Sequence, residues 1–311
     1  MASKVLSSAA YFLSLQGIAM KFLNSLMAAS LAAALAACTT TPGPTALQGD
    51  HGDVGFQLIR NATIKLDYAG TTFLIDPMLA EKGRYPGFEG TLNSHLRNPL
   101  VDLPMPVADA MKADAVVITH THLDHWDDVA KQQLPKSIPI FVQNEQDALS
   151  VRKDGFSDVR VLGSDTVFNG TRLVRTGGQH GTDAHMAKLG AALGTVSGIV
   201  FERQGHETVY VAGDTIWRPE VEAAVQHYRP DVVVLNTGFA VVPGIDGAII
   251  MGKEDLQRAR QIAPDAVVVG VHMDAVNHAG QSRQELLEFI AEKKLDPART
   301  RVPQDGESYR F

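Results

Sequence analysis

The sequence predicts an αβ/βα sandwich, two β-sheets packed face to face with helices outside. Three observations point there. Short strand-like runs crowd the start of the folded part, strand and helix patterns alternate after them, and several apolar runs are continuous enough to be buried strands. The chain has 311 residues, 45% of them hydrophobic and 20% charged, which is enough for one large domain with an ordinary core.

The opening runs are Phe56–Ile59, Thr63–Asp67 and Thr72–Ile75, punctuated by Asn61 and Gly70, as in a meander of hairpins. Ala115–Thr119 is a continuous apolar run ending in polar residues, so it reads as a buried strand. Strands at Pro139–Val142 and Val159–Leu162 follow, with a helix expected over Glu145–Arg152 between them. Further strands are expected at Thr171–Arg175, Thr195–Phe201, Thr208–Val211, Asp231–Leu235 and Ala266–Val271, and helices at Pro219–His227, Lys253–Gln261 and Arg283–Glu292. The stretch from Tyr85 to Pro106 is rich in Gly, Pro and Asn and lacks a period. A loop of that length inside a compact domain is usually functional or disordered. Strand order is not readable from periodicity.

The first fifty residues differ in kind. Residues 1–37 hold no acidic residue and two lysines, Lys4 and Lys21, and the apolar run from Phe22 ends Leu35-Ala36-Ala37-Cys38. A basic start, a short apolar run and small residues before a cut site make a secretory leader. The run is too short for a membrane span, which needs about 20 apolar residues. Met20-Lys21 is a better start for such a leader than Met1. Cys38 is the one cysteine in the chain, and its setting resembles a bacterial lipoprotein signal, in which the cysteine is lipidated. The expected organisation is a signal peptide over 1–37, a lipid-anchored tether over 38–53 and a folded domain over 54–311. An ordinary leader with a chance cysteine is the alternative. By the same resemblance, Thr39 after the cysteine implies a periplasmic protein anchored in the outer membrane of a Gram-negative cell. Membrane contact through Cys38 is the partner this predicts.

The formal net charge is −7, and losing Lys4 and Lys21 with the leader makes it −9. No cluster of Lys and Arg and few aromatics argue against a nucleic-acid partner. Oligomeric state is not legible.

The chemistry concentrates in Thr119-His120-Thr121-His122-Leu123-Asp124-His125, at the end of a predicted strand. His120 and His122 are two apart, so extended backbone points both imidazoles to one side. Asp124 and His125 are then expected at the start of the next helix. Imidazole and carboxylate suit zinc, manganese or iron. His180, Asp214 and His272 each stand where a predicted strand runs out. Taken singly, His180 is as easily a loop histidine and Asp214 a helix N-cap.

His-x-His-x-Asp-His resembles the signature of the metallo-β-lactamase superfamily, and the later His180, Asp214 and His272 match its order of residue types. The resemblance spans roughly residues 54 to 290. It implies that His120, His122 and His180 hold one divalent metal, that Asp124, His125 and His272 hold a second, and that Asp214 bridges them. It also implies hydrolysis by a water activated between the two ions, with Asp124 as ligand and catalytic partner of that water. No Gly-x-Ser-x-Gly nucleophile motif competes with this.

Asp76, in Leu74-Ile75-Asp76-Pro77, resembles the turn of a subgroup related to ascorbate-6-phosphate lactonases and N-acylphosphatidylethanolamine phospholipases. That subgroup often has a histidine in the first hairpin turn, where this chain has Asn61. Asn236 and His278, after strand ends, join Asp76 as candidates for substrate contact. An aspartate at 214 resembles phosphodiesterases, lactonases and thioesterases more than true β-lactamases. The expected substrate is a small molecule or lipid head group carrying a phosphodiester or a lactone. Two other readings share the fold: a non-catalytic binding protein and a di-iron redox member.

Overall fold

Side chains alternating between the two faces of each strand decide how the layers stack. In a computed structural model, which describes residues 54–311, fourteen strands form two seven-stranded sheets. The first half of the domain supplies β1 (Gly55–Arg60), β2 (Thr63–Tyr68), β3 (Thr71–Ile75), α1 (Val107–Ala110), β4 (Ala115–Ile118), α2 (Asp128–Gln133), β5 (Ile140–Val142), α3 (Glu145–Lys153) and β6 (Val159–Val161). The second half supplies β7 (Thr166–Phe168), β8 (Thr171–Thr176), α4 (Asp183–Leu193), β9 (Gly198–Glu202), β10 (Val209–Val211), α5 (Pro219–Tyr228) and β11 (Val232–Asn236). Then come α6 (Lys253–Ile262), β12 (Val267–Val271), α7 (Arg283–Glu292), β13 (Thr300–Arg301) and β14 (Ser308–Arg310).

The first sheet runs β14-β1-β2-β3-β4-β5-β6 and the second β13-β12-β11-β10-β9-β8-β7. Between them lies a core to which both contribute every second residue: Phe73, Ile75, Ala115 and Val117 from one sheet, Val209, Val211, Val232 and Val234 from the other. The residues between these face the opposite way. Val116 and Ile118 pack with Ala130, Ala148 and Val151 of α2 and α3, while Val233 and Leu235 pack with Val221, Leu256 and Leu286 of α5, α6 and α7. Strands buried on both faces explain why these segments read as unbroken apolar runs. Each fully buried Val or Leu contributes about 1.5–3 kcal/mol of transfer free energy. The sandwich is the metallo-β-lactamase fold.

Strand direction places the chemistry. β3, β4, β5 and β6 are parallel neighbours, and so are β10, β11 and β12. Their carboxyl ends therefore line one edge of each sheet, where the loops that follow can converge.

Several expectations need amending. Asp124 and His125 do not open a helix: they sit in a turn closed by His125 N–H and Trp126 N–H donating to His122 O, and α2 starts later, capped by Asp127. The helix α4, the hairpin strand β7 and the edge strands β13 and β14 were not anticipated from periodicity. The leader, Cys38 and the tether lie outside the described residues. Among the described residues no helix is long and apolar enough to cross a membrane.

Candidate metal centre

Both sheets deliver their ligand-type side chains to this edge. β3 leads into Asp76, β4 into His120, His122, Asp124 and His125, β8 leads to His180, β10 to Asp214, β11 ends at Asn236, and β12 leads to His272. The seven residues expected from the sequence meet there in two sets, His120/His122/His180 and Asp124/His125/Asp214/His272. Within each set the ligand atoms lie within 4.8 Å of one another. All are buried except His122, which is half-buried.

Asp214 joins the sets. Its Oδ2 stands 3.1 Å from His125 Nε2, 3.6 Å from His272 Nε2, 3.6 Å from His180 Nε2 and 4.0 Å from His120 Nε2. His272 Nε2 also lies 3.2 Å from Asp124 Oδ2 and 3.2 Å from His125 Nε2. Two imidazole nitrogens so close, both facing carboxylates, cannot each carry a hydrogen; a shared cation is what such a set suits. His120 Nε2 and Asp124 Oδ2 are buried with no hydrogen-bond partner, and both stand within the clusters. Buried polar atoms are rarely left so. The donor set fits divalent metal.

The outer contacts fix which ring nitrogen is free. His180 Nδ1 lies 2.9 Å from Ile249 O, so the Nδ1–H donates there and Nε2 keeps its lone pair toward Asp214. His122 uses its other nitrogen: Nε2 lies 3.0 Å from Ala192 O, which leaves Nδ1 free. His125 Nδ1 is 2.9 Å from Asp76 Oδ2. Asp76 in turn accepts from Thr119 N–H at 2.8 Å and from Thr119 Oγ1 at 2.7 Å.

The electrostatics follow from burial and crowding. Burial would raise the carboxyls of Asp124 and Asp214, yet His125 beside both, and His272 after it, hold them well below the usual carboxylate range. For His125 burial opposes charge, but Asp214, Asp124 and Asp76 together hold the ring well above the usual imidazole range. Burial, and then the neighbouring rings of His125 and His122, push His120 well down. Burial likewise brings His180 and His278 down to about 4.

Backbone strain marks the same edge. Asp76 (φ 47°) and His272 (φ 65°) both adopt left-handed backbone, at a typical cost of about 1–3 kcal/mol each. His272 N–H donates to Asn61 O at 3.0 Å, which helps hold that conformation. Gly213, just before Asp214, has φ 71°, and a Cβ there would stand 2.4 Å from Ser197 O. Only glycine lets β10 deliver Asp214 at this spot.

The three candidates for substrate contact part company. Asp76 and Asn236 lie behind the ligands, 1% exposed, and neither lines the pocket. Asp76 holds His125, and Asn236 donates to Asp214. Both are placed to orient ligands, and the substrate contact expected of them is not what the geometry offers. His278 does line the pocket. Asn61, where a hairpin histidine was considered, donates through Nδ2 to Asp124 O at 3.1 Å and so supports the motif's backbone.

The pocket over the clusters is a cavity of about 360 Å³. Its polar side holds His122, Asp124, His180, Asp214 and His278, and its apolar wall holds Phe88, Leu123, Leu189, Ala192, Leu193, Val242 and Ile249. Glu89, Gly90 and Thr91 complete it, and among the described residues no lysine or arginine lines it. Sequence reasoning missed this wall because Leu189 and Leu193 belong to α4. Thr182, capping that helix in a box with His185, was the signal that could have found it.

This edge of histidines and aspartates on a two-sheet sandwich defines a metal-dependent hydrolase. The chain belongs to the β-lactamase superfamily and, within it, to the UPF0173 metal-dependent hydrolases: residues 71–273 match the model of the beta-lactamase superfamily domain, and the chain is 48% identical over 254 residues to the UPF0173 protein YddR of Bacillus subtilis, covering 81% of this chain and 98% of that one. A crystal structure described as a possible metal-dependent hydrolase from Veillonella parvula superposes with TM-score 0.81 at 45% identity, covering 83% of this chain and 99% of that chain. The isothiocyanate hydrolase from Delia radicum gut bacteria superposes with TM-score 0.80 at 45% identity, with the same coverage.

Proposed function

We propose that the protein hydrolyses a small neutral electrophile bearing an apolar substituent, an isothiocyanate in the first instance, with two divalent ions held by the two clusters. The observation that carries this is the lining of the pocket. Beside the His/Asp floor stand apolar side chains and Glu89, with no lysine or arginine. A phosphodiester brings an anionic phosphate, whose charge would fall to the ions alone, with no basic side chain to share it. A neutral substrate needs none. Lactones share that neutrality and form the second class. The isothiocyanate is preferred because a relative at 45% identity, matched over 99% of its length, is described as an isothiocyanate hydrolase.

His120, His122 and His180 would hold one ion, Asp124, His125 and His272 the other, with Asp214 between them. Zinc, manganese and iron all suit these donors. When bound, such ions lower the pKa of coordinated water from 15.7 to about 7 and polarise the substrate. The rest falls to the chain. Ionised Asp124, which lines the pocket, accepts a hydrogen bond from the attacking water and orients it. Phe88, Leu189 and Leu193 exclude bulk water and take the apolar substituent. Water adds across the central carbon of R–N=C=S, forming a C–O bond and a thiocarbamic acid. Its C–N bond then breaks, and a proton passes to nitrogen, giving R–NH2 and carbonyl sulfide.

Export and lipid attachment at Cys38, in the outer membrane of a Gram-negative cell, belong to the same proposal and rest on the sequence alone. The test of the chemistry is a panel on zinc- and manganese-loaded protein: phenethyl isothiocyanate, a γ-lactone and bis(nitrophenyl) phosphate. Amine release from the first, abolished by chelation, is expected. Turnover of the phosphodiester with none of the isothiocyanate would overturn the proposal.

A further inference from the structure

His278 lines the pocket, and its neighbourhood is built around holding it. The residue is 6% exposed, and its Nδ1 is buried with no hydrogen-bond partner. Its ring meets Phe88 edge to face, with centroids 4.8 Å apart and an interplanar angle of 85°. Phe88 comes from the loop after β3, nearly two hundred residues away in sequence, so something must bring the two together.

Asn277 does so. Its Oδ1 accepts from Phe88 N–H at 2.9 Å and from Asn98 Nδ2 at 2.8 Å. Its Nδ2 donates to Thr91 Oγ1 at 2.9 Å and to Leu92 O at 2.7 Å, and its N–H donates to Asn98 Oδ1 at 2.8 Å. A third segment is tied in by Leu92 N–H donating to Val241 O at 3.3 Å and Val241 N–H donating to His278 O at 3.0 Å. The amide of Asn277 thus spends both of its ends on one loop. This is an expensive arrangement for a surface loop, and its product is a fixed Phe88–His278 pair at the pocket.

We infer that His278 and Phe88 form the substrate-recognition pair of this pocket, His278 hydrogen-bonding the polar heteroatom of a neutral substrate and Phe88 selecting its apolar substituent, with Asn277 as a positioning residue that holds them in register. The inference deepens the functional reading above and rests on its neutral substrate class. A neutral imidazole offers one N–H and one lone pair, so it can serve a sulfur, nitrogen or carbonyl oxygen without a charge partner. Phe88 faces the same cavity as Leu189 and Leu193, and together they define its apolar wall. Of the pocket histidines, His278 alone stands outside the two ligand sets.

Binding separates this inference from the chemistry. N-phenethylthiourea and N-methylthiourea are neutral, unreactive relatives of isothiocyanates that differ in the apolar group alone. Their dissociation constants would be measured by calorimetry on zinc-loaded full-length protein. His278→Phe keeps the ring and its packing but removes the hydrogen bond, and should weaken both ligands about tenfold, the loss of one hydrogen bond. Phe88→Ala should weaken the phenethyl ligand about tenfold and the methyl ligand less than twofold, with Phe88→Leu intermediate. Thermal unfolding of each variant checks that the fold persists, and Phe88→Leu decides if Phe88→Ala does not fold. Wild-type affinities in His278→Phe, equal losses for both ligands in the Phe88 variants, or no binding by the wild type would each overturn the inference. The expected pattern in a protein that turns over no isothiocyanate would uphold recognition and sink the proposed reaction instead.

Discussion

Asn236 Nδ2 donates to Asp214 Oδ1 at 2.6 Å, and the other carboxylate oxygen of Asp214 faces four imidazoles. One oxygen is thereby tied to the second sheet while the other is left for the centre. Asp76 works behind His125 in a related way: its Oδ1 accepts from Thr119 N–H, and its Oδ2 accepts from Thr119 Oγ1 and faces His125 Nδ1. Each orienting group sits one bond behind a ligand.

Removing an orienting group should loosen the metal and leave the fold. Asn236→Ala and Asp76→Ala are expected to lower zinc affinity and turnover by about 10- to 100-fold, the usual cost of losing such a partner. Asp76→Asn should recover part of the loss. Zinc titration with a competing chromophoric chelator measures it, and unchanged affinity in both alanine variants would show that the contacts are incidental.

Two ions should be countable. Elemental analysis of the wild type is expected to give two equivalents of zinc or manganese, and His122→Ala and His272→Ala one each. Both variants should lose turnover by orders of magnitude. Chelation should lower thermal stability, since an ion present at about 1,000 times its Kd contributes about 4 kcal/mol to the folded state. One equivalent in the wild type would rule out the paired centre.

Acid should destabilise the metal-stripped protein in a defined window. His180 and His278 are held neutral down to about 4, against about 6.5 in the unfolded chain. Between those values the unfolded state binds more protons, so stability falls as pH falls from about 6.5 to 4. At about 1.4 kcal/mol per pKa unit, each ring accounts for roughly 3 kcal/mol across the window. His125, held high by Asp214, Asp124 and Asp76 against its burial, acts in the opposite sense and above this window, where its stabilising charge is lost as pH rises. Urea unfolding at pH 7 and pH 5 should show the slope, and His278→Phe should flatten it.

The Asn277 anchor should be measurable without catalysis. Asn277→Ala deletes four side-chain hydrogen bonds and should cost about 3 kcal/mol. Hydrogen exchange at Phe88 and Asn98 should quicken while the β-sheet core keeps its protection. Uniform acceleration through the core would assign Asn277 to global stability.

Lipid attachment can be examined directly. In a Gram-negative host, the wild type is expected to incorporate labelled palmitate and to fractionate with the outer membrane, and Cys38→Ser to lose both properties. A labelled Cys38→Ser protein would move the anchor elsewhere.

The sequence told most where one physical demand ruled. His120 to His125 stood out because metal chemistry needs unlike ligands at tight spacing, and His180, Asp214 and His272 because each follows the end of a strand-like run in the order the first motif calls for. β4, β11 and β12 were readable because strands buried on both faces read as unbroken apolar runs. The apolar wall was not. Leu189 and Leu193 reach the pocket from α4, whose Ala-rich run, broken by Gly190, has a weak period. β14 pairs with β1 through three residues at an edge, too few to show alternation. Asp76 and Asn236 were found, but their orientation behind the ligands depends on how the loops turn, and no local pattern encodes that.

β14 lies antiparallel beside β1, and Phe311 N–H donates to Val54 O at 3.0 Å. β1 itself runs parallel to β3 and β4, because two antiparallel pairings separate β1 from β3. Val54 and Phe311 therefore lie together at the amino end of these strands, about 20 Å of strand away from the rim that carries the candidate metal ligands. Coupling the protein to a bead through a linker attached at Phe311 should leave its mouth turned outward, and the immobilised form should process dissolved substrate as fast as the free one.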